Sequence, residues 1–312
     1  MKLAMVFPGQ GSQSAGMLAG YGNMPVIAEV LREASDVLGQ DIAKLVAEGP
    51  AEEINKTVNT QPVMVTAGYA AYRAWLELGG DEPAVVAGHS LGEYTALVAA
   101  GAITFAQSLP LVRQRAQAMQ DAVPAGVGAM AALLGLGDDA ARAACAESEQ
   151  DGEVVQAVNF NSPGQIVIAG HAAAVQRAIV AAKAKGAKRA VTLPVSAPFH
   201  SSLMAPAAAR LREVLKSIDV KPPRIPVVHN IDAQTRTDPE AIREALVQQA
   251  DHAVLWMDCV RTIAATGATH VYECGPGKVL APQSRRIVPG LEGLALADRA
   301  GIDQGLQLFR KA

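Results

Sequence analysis

The residues Gly88-His89-Ser90-Leu91-Gly92 have G-x-S-x-G spacing, which places a serine hydroxyl on a sharp strand-to-helix turn. The short apolar run Ala84-Val85-Val86-Ala87 before them reads as a buried strand, and the alanine-rich stretch to about Ala100 reads as a helix. That context favours a nucleophile over a serine that merely caps a helix. The positive end of the helix dipole would assist it. A serine hydroxyl needs a base within hydrogen-bonding reach, and the six histidines divide by setting. His89 adjoins the serine and by alternation points elsewhere, into the core. His171 follows Ala169-Gly170 at a helix start and reads as a cap, while His252 sits in a polar loop and reads as solvated. His200, His229 and His270 all lie near apparent strand ends, where sheet enzymes place catalytic groups. Ser196-Ala197-Pro198-Phe199-His200 is a stiff loop after a strand, which favours His200 among the three without excluding the others.

A hydrolytic triad would place its acid between serine and histidine in chain order. No carboxylate ahead of His200 stands in an obvious strand-end loop, so the orienting group is either a backbone or amide oxygen or an acid that local pattern does not reveal. Pro8-Gly9-Gln10-Gly11-Ser12-Gln13 follows the first strand and offers backbone N–H groups to a developing oxyanion; the bland alternative is a tight turn. It is no phosphate loop, because Ser14 stands where G-x-G-x-x-G needs its third glycine and no Gly-Lys-Ser/Thr follows. Arg113 and Arg115, two apart on the helical stretch 107–121, face different ways. Either would be a solvated charge on the surface, or, buried beside the serine, a bidentate partner for a carboxylate.

The elements that must hold these residues are an α/β set. Leu3–Phe7 is a buried strand, helices are expected at about 25–38 and 61–78, and strand–turn–helix surrounds Ser90. From Gly126 the order changes to strand 127–134, helix 138–149, strands 154–160 and 165–170 around the turn Asn161-Ser162-Pro163-Gly164, helix 172–185 and strand 188–195. That β-α-β-β-α-β order is the ferredoxin-like split motif. After Pro194 come a strand near 225–229, a helix at 239–250, a strand at 269–273 and Gly275-Pro276-Gly277 opening another helix. The expected division is therefore a catalytic domain from 1–124 and 196–312 with an insertion at 125–195.

Composition agrees. The 312 residues are 50% hydrophobic and 18% charged, which excludes disordered and fibrous classes. A net charge of -3 and 4% aromatics argue against nucleic-acid binding. Cys145, Cys259 and Cys274 are widely spaced, with no metal-ligand pattern, as in a reducing compartment. Met1–Phe7 is too short for a signal peptide and no apolar run approaches a membrane span, so a cytoplasmic protein is expected.

Five segments then coincide in order: Phe7-Pro8-Gly9-Gln10-Gly11-Ser12-Gln13, Gly88-His89-Ser90-Leu91-Gly92-Glu93-Tyr94, Asn159-Phe160-Asn161-Ser162-Pro163-Gly164-Gln165, Pro198-Phe199-His200-Ser201 and Glu273-Cys274-Gly275-Pro276-Gly277. Together, from Phe7 to about Arg286, they closely resemble the bacterial malonyl-CoA:acyl carrier protein transacylases of type II fatty acid synthesis. The resemblance implies an α/β-hydrolase-like parallel-sheet core with an inserted ferredoxin-like (βαββαβ) small subdomain. It implies Ser90 as nucleophile, His200 as general base, the backbone N–H groups of Gln10 and Leu91 as oxyanion donors and Arg115 as the partner of the malonyl carboxylate. It implies Gln249, in Leu246-Val247-Gln248-Gln249, as the residue whose main-chain carbonyl orients the histidine, which makes a Ser–His dyad and accounts for the missing acid. Phe199 would narrow the pocket, or simply pack in the core.

The implied reaction moves malonyl from malonyl-CoA to the phosphopantetheine thiol of acyl carrier protein, with a coenzyme A thioester as substrate and no cofactor or metal. Its partners are malonyl-CoA and an acidic carrier protein, with no nucleic acid, no membrane and nothing demanding more than a monomer. Candidate carrier contacts are Lys183, Lys185, Lys188 and Arg189, and Arg285-Arg286, unless these are solvated faces. The alternatives are a malonyl transferase of malonate decarboxylase or of a stand-alone polyketide pathway, a serine esterase or thioesterase, and a scaffold that kept the fold without the chemistry.

Overall fold

Strand β1 (Leu3–Phe7) is apolar throughout because both of its faces are buried. Leu3, Met5 and Phe7 pack into one hydrophobic cluster and Ala4 and Val6 into another, the pattern of a parallel strand covered by helices on both sides. The computed structural model describes residues 2–311. Strands β1, β2 (Val85–Gly88), β7 (Val227–Val228), β8 (His270–Cys274) and β9 (Glu292–Leu296) form a parallel sheet in the order β7-β2-β1-β8-β9. Strands β3 (Gly128–Leu134), β4 (Val155–Ser162), β5 (Gln165–His171) and β6 (Arg189–Thr192) form an antiparallel sheet in the order β4-β5-β3-β6. With helices Asp138–Ala146 and Ala172–Ala184, that order is ferredoxin-like. The fold is thus the α/β class expected, a parallel sheet with a small antiparallel one inserted between β2 and β7.

Helix Thr57–Glu77 lies in the first cluster and is buried along most of its length, including Trp75 and the polar Thr60, Gln61 and Thr66. It begins before the expected position 61 and runs through Pro62, whose missing N–H leaves one helical carbonyl without its usual donor. Helix Phe105–Asp121 starts with a capping box, Thr104 and Gln107 satisfying each other's backbone N–H groups. The expected strand 188–195 ends at Thr192, just ahead of Pro194, which cannot donate to a ladder. The last helix foreseen after Gly277 begins at Leu280, and the buried Glu273 carboxylate accepts the N–H groups of Val279, Leu280 and Ala281 there. Burial raises the Glu273 pKa, against the lowering effect of those three donors. Helices Ala205–Leu215 and Trp256–Ala265, strand β9 and helix Arg299–Lys311 were not foreseen.

Among the described residues no helix is long and apolar enough to cross a membrane, and no group of three or more His, Cys, Asp or Glu is placed to hold a metal.

Candidate active site

The C-terminal ends of the parallel strands converge on one cleft, the usual ligand position in an open α/β sheet. Ser90 follows β2 with φ 51°, in the left-handed region. The turn requires glycine on either side: a Cβ on Gly88 would lie 1.8 Å from the Gly92 carbonyl carbon, and one on Gly92 would lie 2.0 Å from the Phe7 oxygen. The strained turn is clamped by Asn230, just past β7. Its Oδ1 accepts the Ser90 N–H at 2.7 Å and its Nδ2 donates to the Gly88 carbonyl at 2.7 Å. The Ser90 amide is therefore occupied. The N–H groups of Gln10 and Leu91, which both line the cavity, donate to no turn or loop carbonyl among the described residues.

His200 also has positive φ, 64°, in the loop after the small sheet, and it is 4% exposed. Its Nε2 lies 2.6 Å from Ser90 Oγ and its Nδ1 2.7 Å from the main-chain oxygen of Gln249. A carbonyl only accepts, so Nδ1 carries the hydrogen and Nε2 is free to take the serine proton. Among the described residues no carboxylate completes a triad at this histidine. Burial, and next the Arg115 charge, lower the His200 pKa from 6.5 to about 3.

Arg115 is 2% exposed, with no carboxylate within ion-pair distance among the described residues. Its Nη1 donates to Gln61 Oε1 at 3.0 Å and its Nη2 to Gln249 Oε1 at 2.9 Å and Ser90 Oγ at 3.4 Å. Its guanidinium lies 5.3 Å from the Tyr94 ring centre, and its Nε has no partner. A cavity of about 220 Å³ is lined by Ser90, His200, Arg115, Gln10 and Leu91 and walled by Met119, Met130, Val167, Leu193, Val195 and Phe199. Ser90, His200 and a buried guanidinium with no carboxylate in direct contact thus share one small chamber.

Comparison with known proteins agrees with that chemistry. The acyl transferase domain family matches residues 4–289. The malonyl CoA-acyl carrier protein transacylase of Escherichia coli K12 is 52% identical over 308 residues, 98% of this chain and 99% of the relative. This chain belongs to the malonyl-CoA:acyl carrier protein transacylase family. The acyl-carrier-protein S-malonyltransferase of Burkholderia pseudomallei 1710b aligns with a TM-score of 0.96 at 61% identity, covering 98% of this chain and 100% of that one. A malonyl-transacylase solved with its type II polyketide acyl-carrier protein aligns at 0.97 and 49% identity, covering 99% and 100%.

Within this transacylase fold the remaining candidates occupy distinct places. His229 is fully buried and its Nδ1 lies 2.7 Å from Glu93 Oε1 rather than on the serine. His270 opens β8, at the end of the sheet opposite the cleft. His171 stands at the helix N-cap position, but its side chain does not cap the helix; its Nδ1 accepts the N–H of Val154 at 3.0 Å because the chain returns beside it there. His89 is not simply a core residue. It lines the cavity, rests 5.5 Å from the Trp256 ring and bonds Asn161 of the small sheet at 2.7 Å, joining the cleft's two walls. His252 is exposed, beside Asp251. Arg113 leaves the cleft for Gln40. Gln61, Asn230 and Glu93 are site residues for which the sequence offered no role.

A smaller cavity of about 150 Å³ adjoins the chamber at Gln10, His89 and Asn161 and is lined further out by Ser12, Gln165, Val279 and Gln283. Arg286 is three residues beyond Gln283 on the same helix, and Arg189 lies two strands from Gln165, through Leu134. Lys185 is tied to Glu147 at 2.7 Å.

The depressed His200 pKa has a testable sign. The imidazole is already neutral, hence basic, far below pH 6.5. Formation of acyl-enzyme from malonyl-CoA, followed by rapid quench, should show no acid limb between pH 7 and about pH 5. A limb near the ordinary histidine value would mean a solvated base. The same group binds its proton in the unfolded chain first, so its stabilising contribution is full above pH 6.5 and declines as pH falls toward about 3.

Proposed function

We propose that this protein transfers malonyl from malonyl-CoA to the phosphopantetheine thiol of acyl carrier protein, in fatty acid synthesis, through an ester on Ser90. The observation that carries the reading is the buried Arg115 guanidinium, without a carboxylate of its own, facing the same chamber as the 2.6 Å Ser90–His200 contact. His200 Nε2 takes the Ser90 proton as Oγ attacks the thioester carbonyl. The N–H groups of Gln10 and Leu91 hold the tetrahedral oxyanion, donors that typically contribute about 3 kcal/mol each. The carbon–sulfur bond breaks, and the imidazolium returns its proton to the departing coenzyme A thiolate. The carrier thiol then gives its proton to His200 and attacks the ester carbonyl; the ester carbon–oxygen bond breaks and Ser90 Oγ takes that proton back from His200, the ping-pong course of an acyl-enzyme.

The Gln249 carbonyl fixes the tautomer without the charge of an acid. The imidazolium is therefore poorly stabilised and passes its proton on readily. Arg115 receives the malonyl carboxylate, and the apolar wall around Phe199 encloses the methylene and disfavours water as acceptor. The chemistry calls for no cofactor. The pantetheine arm would enter past Gln165 and Gln283, and Arg189 and Arg286 would offer cations on that side for an acidic carrier. The insertion 125–195 closes one side of the chamber, and the setting is cytoplasmic.

The test is intact-protein mass spectrometry after brief mixing with malonyl-CoA. A malonyl adduct that disappears when holo carrier protein is added is the expected result. Free malonate accumulating without an adduct would make water the acceptor and favour the thioesterase reading. No adduct and no turnover would favour a scaffold.

A further inference from the structure

Gln249 is gripped at both ends. Its main-chain carbonyl holds His200, and its side-chain amide lies between two buried charged groups. Arg115 can only donate and the Glu93 carboxylate accepts, so the amide is oriented by its neighbours: Oε1 receives Arg115 Nη2 at 2.9 Å, and Nε2 gives to Glu93 Oε2 at 2.9 Å and to the Ser90 carbonyl at 2.9 Å. Glu93 is fully buried. Its carboxylate also accepts His229 Nδ1 at 2.7 Å and the Asn230 N–H at 3.0 Å. The buried Glu93 carboxylate, beside the His229 ring, thus stands one amide away from a buried guanidinium with no carboxylate in direct contact. Isolated charges at such depth are strongly disfavoured. Through the Gln249 amide, Glu93 is the carboxylate linked to Arg115.

We infer that Glu93 is a positioning residue that acts through Gln249: it is the resident counter-charge of Arg115 in the empty site, and it limits how tightly Arg115 holds a malonyl carboxylate. A ping-pong transferase needs that limit, because binding energy expressed equally in the bound malonyl thioesters and in the transition states retains substrate and product without speeding the chemistry between them. The inference rests on the assignment of Arg115 to the malonyl carboxylate.

Glu93→Gln separates charge from geometry. The new amide oxygen can accept the Asn230 and Gln249 N–H groups, and the new amide nitrogen can donate to His229 Nδ1 once that ring changes tautomer. His229 Nε2 has no partner, so the change breaks no other bond. With the charge gone, KM for malonyl-CoA should fall and release of the malonyl-carrier product should slow, each by about tenfold. The change with acetyl-CoA, which brings no carboxylate, should be smaller by about that factor. In an Arg115→Ala background the malonyl-specific part of the effect should vanish, which a purely structural defect would not do. Glu93→Asp keeps the charge and should keep the parent's malonyl-to-acetyl ratio; it also serves where the glutamine variant folds poorly. Equal effects on both acyl groups, persistence of the effect without Arg115, or an aspartate variant shifted like the glutamine one would overturn the inference. Arg115→Ala alone distinguishes the two levels. If it leaves malonyl selectivity intact, the Arg115 assignment fails; if it lowers selectivity while Glu93→Gln changes nothing, only the counter-charge is wrong.

Discussion

Ser90→Ala should fold, take no malonyl adduct from malonyl-CoA and transfer malonyl at least about 10⁴-fold more slowly than the parent. The fold should survive because the elbow is not held by the serine hydroxyl. Asn230 grips the Ser90 N–H and the Gly88 carbonyl, and Gln249 grips the Ser90 carbonyl, all through backbone atoms that alanine retains. What is lost is the Oγ atom 2.6 Å from His200 Nε2, and with it the ester. His200→Ala should cost a similar factor, since the serine then has no base within reach: the Gln249 side-chain oxygen is taken by Arg115 and is no proton acceptor of useful strength, and Arg115 can only donate. The double variant should be little worse than either single one, because the two residues act as a unit. Single-turnover mass spectrometry with each variant checks this. A malonyl adduct on Ser90→Ala, or multiplicative losses in the double variant, would place the nucleophile elsewhere.

The sequence disclosed the site where its chemistry is local. Gly88, Ser90 and Gly92 are adjacent, and the steric demands on the two glycines are those of one turn, so motif and geometry are a single fact. Partners from distant segments left no such mark. His200 and His229 both follow strands, and only their folded partners tell them apart: His200 meets Ser90, His229 the buried Glu93. Gln249 looked like any helical glutamine, and its role as orienter of His200 was accessible only through the family resemblance, because a main-chain carbonyl has no residue type to read. Glu93 lay within a quoted motif, yet what it faces, from His229 to Gln249, depends on how β2, β7 and helix Pro239–Asp251 pack. The two-sided burial of β1 was visible as a continuous apolar run. By contrast β9 begins with exposed Glu292 and Gly293 and lacks that run, which is why the edge of the sheet was overlooked.

Arg115→Ala should lower kcat/KM for malonyl-CoA by about 10²- to 10³-fold, the cost of leaving a buried carboxylate without its cation. The acetyl reaction is the internal control, and the structure indicates why it should survive. Removing Arg115 takes one hydrogen bond from Gln61 and one from the Gln249 side chain. Gln249 remains anchored by Glu93, by the Ser90 carbonyl and by its own helix, so its backbone carbonyl still orients His200. The dyad therefore stays assembled, and acetyl transfer should change far less than malonyl transfer, collapsing the preference between them. Loss of the cation also removes the second contributor to the low His200 pKa, so any new acid limb in the variant should lie higher than in the parent, though still below the ordinary histidine value because burial is the larger cause. Arg115→Lys should recover only part of the malonyl rate, since one ammonium cannot reproduce a planar fork spanning Gln61 and Gln249 while presenting a face to the substrate. Acylation rates with malonyl-CoA and acetyl-CoA, measured side by side for the three proteins, decide the matter: an unchanged ratio in the alanine variant would remove Arg115 from substrate selection, whatever its effect on the absolute rate.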